Sequence, residues 1–133
     1  MSAPLILIAE DNPGLARVLS YKLRASGFQT SVANDGTAAW QQFQDCQPDA
    51  VLSDHEMPGM TGVELCEQIR RSTTHAGVPF ILVTGRQLEL QATGIVEQLD
   101  IQALFAKPFS PKDIVRTLQQ CLPSNVTPAT PLS

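Results

Sequence analysis

Glu10 and Asp11, Asp54, Thr84 and Lys107 follow or end four short apolar runs, LILIA at 5–9, AVLSD at 50–54, FILVT at 80–84 and ALFA at 103–106. Runs of this kind mark strands covered on both faces in a parallel sheet. Parallel strands joined by right-handed crossovers bring their carboxyl ends to one rim, where ligands bind. Three carboxylates, a hydroxyl and an ammonium would then share that rim. Carboxylates held so close repel and rise in pKa unless a cation lies among them. Magnesium suits such a place, because it takes hard oxygen ligands, keeps several waters and is held by one or two carboxylates plus a phosphoryl oxygen. The chemistry these residues point to is phosphoryl transfer.

The elements that must position them alternate along the chain. After the first strand, Asn12 is a good N-cap and Pro13 a good first helical residue. Leu15, Val18, Leu19 and Leu23 fall on one helical face before Gly27 closes the element. A second strand near 28–33 leads through Asn34-Asp35-Gly36 to a helix in which Ala39, Phe43 and Cys46 share a face. Behind the third strand, Thr61 and Glu64 have capping-box spacing ahead of Leu65, Cys66 and Ile69. Behind the fourth, Leu88, Ala92, Ile95, Val96 and Leu99 recur at helical spacing, although Gly94 weakens that helix. Ser110 and Pro111 open the last helix, with Asp113 in its first turn and Ile114, Leu118, Cys121 and Leu122 inward.

The whole chain of 133 residues, 43% hydrophobic and 17% charged, suits one domain over residues 1–122. PSNVTPATPLS at 123–133 reads as a flexible tail or the start of a linker. A net charge of -4 argues against phosphate-backbone binding as the main activity. No apolar run is long enough to span a bilayer and no signal-like start is present, so a soluble intracellular protein is expected. Cys46, Cys66 and Cys121 lack metal-site spacing and are expected as reduced thiols.

Taken in order, Glu10-Asp11, Asp54-x-x-Met57-Pro58, Thr84-Gly85 and Lys107-Pro108-Phe109 resemble the receiver domain of two-component response regulators, over residues 5 to about 122. The resemblance implies a flavodoxin-like α/β fold: a single doubly wound five-stranded parallel sheet, order 2-1-3-4-5, with five helices. It implies Asp54 as phosphoacceptor, with magnesium held by Glu10, Asp11, Asp54 and the backbone carbonyl of Glu56. Thr84 and Lys107 would contact phosphoryl oxygens, and the Lys107–Pro108 bond would be cis. The donor would be a phosphohistidine on a histidine kinase or histidine phosphotransfer protein. Thr84, drawn to the new phosphoryl group, would bias the fourth helix, fifth strand and fifth helix between two packings, switching a surface read by an unidentified downstream protein. Such a domain is not a metabolic enzyme but a cytoplasmic switch that catalyses only its own phosphorylation and dephosphorylation. No direct nucleic-acid or membrane contact is expected, and a homodimer formed on phosphorylation is one conceivable output.

The sequence departs from the family pattern in places. Leu104 stands where the family has Tyr or Phe, and Phe105 should face the other way because strand side chains alternate. Glu10 replaces a common Asp. Glu56 and Arg86, two beyond Asp54 and Thr84, tune phosphoryl hydrolysis in the family and are expected to pair and partly cover the site. His55 and His75 are expected as exposed structural residues, Met57 as a core anchor, Trp40, Phe43 and Phe109 as packing, and Gly59 and Gly62 as loop flexibility. The competing readings on this topology are a magnesium-dependent phosphohydrolase and a flavin-binding protein. EDNPGLAR after the first strand is acidic where a flavin phosphate loop needs Gly, Ser or Thr, and nothing supplies a hydrolase substrate pocket.

Overall fold

Among the described residues five strands form: β1 (Leu5–Ala9), β2 (Gln29–Ala33), β3 (Ala50–Asp54), β4 (Phe80–Thr84) and β5 (Ala103–Ala106). They stand in a computed structural model that describes residues 3–73 and 75–122; the tail expected over 123–133 lies outside the described residues. β3 and β4 are buried at every position and β1 at all but its first, which explains their unbroken apolar runs. All pairings are parallel, in the order β2-β1-β3-β4-β5, as expected. The chain reverses direction across the sheet between β1 and β3. The crevice at that switch point lies beyond Ala9 and Ser53, which pair in register, so Glu10 and Asp54 meet at its floor.

Alternation along the strands divides the core in two. Leu7, Ala9, Val51, Phe80 and Leu82 face one layer of helices; Ile6, Ile8, Leu52, Ile81 and Val83 face the other. The first layer holds α2 (Gly36–Cys46), α3 (Gly62–Arg71), α4 (Gln87–Ala92) and α5 (Ile95–Gln98); the second holds α1 (Pro13–Ala25) and α6 (Pro111–Cys121). Leu104 packs on the first side and Phe105 on the second, as alternation requires. Caps set the helix starts. Asn12 and Asp35 accept from the N–H groups of Leu15 and Ala38, and Thr61 with Glu64 closes a full capping box. Ser110 holds the N-cap position of α6 without a side-chain cap bond. Arg70, near the end of α3, donates to the carbonyls of Ala76, Val78, Leu99 and Asp100, tying that helix to the entry of β4 and the end of α5.

Three expectations change. Among the described residues there are six helices, because the fourth breaks at Thr93-Gly94. Gly94 takes a left-handed φ of 76°, and the Thr93 hydroxyl donates to the Leu90 carbonyl at 2.7 Å. The break also shifts which side faces the core: Leu90, Val96 and Leu99 pack inward while Leu88 is 79% exposed. In α1 the buried face is Ala16, Leu19, Ser20 and Leu23, and Val18 points outward.

Candidate functional site

The acids at the crevice come from adjacent strands. Glu10 follows β1, its N–H bonded to the Ala33 carbonyl at 3.0 Å, and Asp54 ends β3. Glu10, Asp11 and Asp54 each offer a carboxylate oxygen such that all three oxygens lie within 4.8 Å of one another. Glu10 is 4% and Asp54 3% exposed, so water screens their repulsion poorly. Burial, with the charge of Asp54 adding to it, pushes the Glu10 carboxyl up to about 7 against the Asn12 N–H bond and the charge of Lys107. Asp54 is also raised, by burial first and then by Glu56 and Asp11, despite its contact with Lys107.

That contact is close. The Lys107 ammonium lies 2.7 Å from Oδ1 of Asp54, and apart from it this buried oxygen has no hydrogen-bond partner among the described residues. Burial works against the charge on Lys107, but Asp54, Glu56 and Glu10 outweigh it and keep the ammonium protonated more firmly than usual. The Lys107–Pro108 bond is cis, as the resemblance implies. An all-oxygen set of three mutually repelling carboxylates, one with an underused buried oxygen, fits a hard dication such as magnesium.

Glu56 does not behave as expected. Its Oε2 accepts from the Thr84 hydroxyl at 2.5 Å, its Oε1 accepts from the Gly85 N–H at 3.2 Å, and Lys107 Nζ is 3.4 Å from Oε1. Burial would raise its pKa, but these two hydrogen bonds and the Lys107 charge prevail and hold it below the usual range. Arg86 makes no pair with it. At the start of α4, Arg86 gives its N–H to Thr84 Oγ1 at 2.9 Å and turns its exposed guanidinium to Glu89, 3.6 Å away and three residues along the helix. Leu104 is half-buried beside α4, its carbonyl accepting from Gln87 at 3.4 Å.

Nearby residues settle other expectations. Met57 is anchored in the core, and Trp40, Phe43 and Phe109 are packing residues. His55 and His75 are structural but half-buried: His55 Nδ1 accepts from the Val63 N–H at 3.3 Å, and His75 stacks on Phe43 at 5.7 Å. Gly59, with φ 78°, is a turn residue. Gly62 is not there for flexibility. It opens α3 so tightly against β3 that a Cβ would fall 2.5 Å from the Asp54 carbonyl oxygen and 2.9 Å from the His55 Cα. Gly62→Ala should therefore destabilise the domain by about 1–3 kcal/mol in urea unfolding, despite the better helix propensity of alanine. A stability equal to or above that of the parent chain would show that β3 and α3 can separate freely.

A family model described as the response regulator receiver domain matches residues 6–119. The chain belongs to that family. This receiver domain is 35% identical over 121 residues to the DNA-binding response regulator MtrA of Mycolicibacterium smegmatis, covering 90% of this chain and 51% of that protein. It is 35% identical over 117 residues to the sensory transduction protein RegX3 of Mycobacterium tuberculosis, covering 88% and 50%. The chain thus spans about half the length of the curated relatives it matches. Among solved structures, the chemotaxis response regulator CheY4 of Vibrio cholerae superposes with a TM-score of 0.82 at 25% identity, over 91% of this chain and 100% of that one. The receiver domain of the sensor histidine kinase PA1611 of Pseudomonas aeruginosa, described with a magnesium ion coordinated in its active-site cleft, gives 0.79 at 28% identity over 90% and 97%. Two-component signalling is the setting of this receiver domain. MtrA is described as DNA-binding, so the expected lack of nucleic-acid contact has no support for a longer protein of this kind. Among the described residues no helix is long and apolar enough to cross a membrane.

Proposed function

We propose that this receiver domain accepts a phosphoryl group onto Asp54 from the phosphohistidine of a histidine kinase or histidine phosphotransfer protein in the cytoplasm, and so switches a protein-interaction surface. The observation that carries this reading is the meeting of Asp54 with Lys107 at 2.7 Å beside Glu10 and Asp11. An Asp54 oxygen attacks phosphorus; the new P–O bond forms as the P–N bond to the partner's imidazole breaks, and the electron pair stays on that nitrogen. A carboxylate needs no deprotonation for this, so positioning and charge neutralisation carry the step. Lys107 offsets charge on the phosphoryl oxygens, and the Thr84 hydroxyl and Gly85 N–H donate to them. Magnesium, held by Glu10, Asp11, Asp54 and the Glu56 backbone carbonyl, would supply further charge neutralisation when bound. Glu10 and Asp11 each hold a carboxylate oxygen within 4.8 Å of one on Asp54, and the Lys107 ammonium lies 2.7 Å from Asp54 Oδ1.

Phosphorylation gives the Thr84 hydroxyl an acceptor on Asp54. Arg86, whose N–H donates to Thr84 Oγ1, sits at the N-cap position of α4, so that change reaches the broken α4–α5 segment and Leu104. The output is contact with a further protein or with a second receiver domain. In the presence of magnesium and acetyl phosphate, the protein should gain one acid-stable, base-labile phosphate per chain. Sustained hydrolysis of a phosphate ester without such a label would favour the phosphohydrolase reading.

A further inference from the structure

Among the acids on the rim, Glu56 has a side chain that the proposed transfer does not use, yet that side chain is the most fully engaged of them. It holds the Thr84 hydroxyl, the Gly85 N–H and, more distantly, the Lys107 ammonium. These are the donors that the proposed reaction turns on an incoming phosphoryl group. A carboxylate and a phosphoryl group offer such donors the same thing, paired anionic oxygens. Thr84 decides between them. It is wholly buried, its oxygen already accepts from the Arg86 N–H, and its one proton goes to Glu56. A hydroxyl has a single proton to donate, so Thr84 cannot serve Glu56 and a phosphoryl group at once.

The loop is built to let this carboxylate leave. Asp54 on one side of Glu56 and Met57 on the other are buried, and the Met57 N–H donates to the His55 carbonyl at 3.0 Å. The Glu56 side chain between them is 37% exposed, with water to swing into. We propose that the Glu56 carboxylate is a tethered competitor of the phosphoryl group: it fills the Thr84–Gly85–Lys107 cradle in the resting chain and must leave before Asp54 can carry phosphate. Resting Thr84 is thereby already drawn toward the crevice, so Glu56 sets how easily the cradle is filled from outside.

This inference rests on the Asp54 reading, and beryllofluoride, which stands in for the phosphoryl group, tests the two separately. At saturating magnesium, Glu56→Ala and Glu56→Gln should each tighten beryllofluoride binding by about tenfold or more, the worth of a displaced charge-assisted hydrogen bond. Glu89→Gln, which removes the same charge from an exposed neighbour on α4, should bind as the parent chain does. The Gly85 amide proton resonance in ligand-free protein should move in both Glu56 variants and stay put in Glu89→Gln. Equal affinities in the parent chain and both Glu56 variants, or a gain matched by Glu89→Gln, would overturn the competitor. Failure of beryllofluoride to bind any of the proteins would overturn the Asp54 reading and the competitor with it.

Discussion

Asp54→Asn is expected to abolish phosphate incorporation from acetyl phosphate and to raise the melting temperature of the metal-free domain. The first effect comes from removing the attacking oxygen, since an amide cannot form the acyl phosphate. The second comes from where that oxygen sits. Asp54 is buried within 4.8 Å of oxygens on Glu10 and Asp11, and its pKa is raised in the fold. An acid whose folded pKa lies above its unfolded value binds its proton more tightly when folded. Its ionised form therefore costs stability once pH exceeds the unfolded value, and that cost is fully present above the folded one. An uncharged isostere removes the cost at neutral pH, so stability and activity move in opposite directions. Differential scanning calorimetry at pH 7.5 without divalent cations checks this; a lower melting temperature would mean that the Lys107 pair outweighs the repulsion. Magnesium should narrow the gap by stabilising the parent chain more than the variant.

Lys107→Met should slow phosphorylation by acetyl phosphate about 100- to 1,000-fold, the loss found when one preorganised charge donor is removed from a reacting oxyanion. It leaves Asp54 Oδ1 buried with no cation beside it. A fully buried pair broken in this way costs ~3–5 kcal/mol, and the one-third exposure of Lys107 reduces the expected loss here to about 1–2 kcal/mol. Magnesium affinity should rise, because the ammonium competes with the dication for Asp54. Single-turnover labelling, urea unfolding and magnesium titration check the three parts. Unchanged labelling would remove Lys107 from the proposed reaction.

The rim was legible in the sequence because it depends on strand ends. Apolar runs stopping on Glu10, Asp54, Thr84 and Lys107 mark where parallel strands terminate, and parallel strands terminate together. What the sequence hid depends on directions that spacing cannot carry. Glu56 and Arg86 flank the site in sequence, yet one carboxylate had nearer donors in Thr84 and Gly85, and the guanidinium had Glu89 within one helical turn. The α4–α5 break shifted the inward face from Leu88 to Leu90, because a left-handed residue at Gly94 resets the helical phase. Gly62 resembled a loop glycine until the close approach of α3 to β3 was visible. Only a residue without a Cβ fits that approach as it stands, and no local pattern announces it.

The most direct test locates the phosphoryl group itself. Protein labelled with acetyl phosphate and magnesium is reduced with sodium borohydride, which converts an aspartyl phosphate to homoserine, and the digest is read by tandem mass spectrometry. Homoserine at position 54 alone is the expected result. Reduction at Asp11, or at no aspartate in a chain that has taken up phosphate, would contradict it.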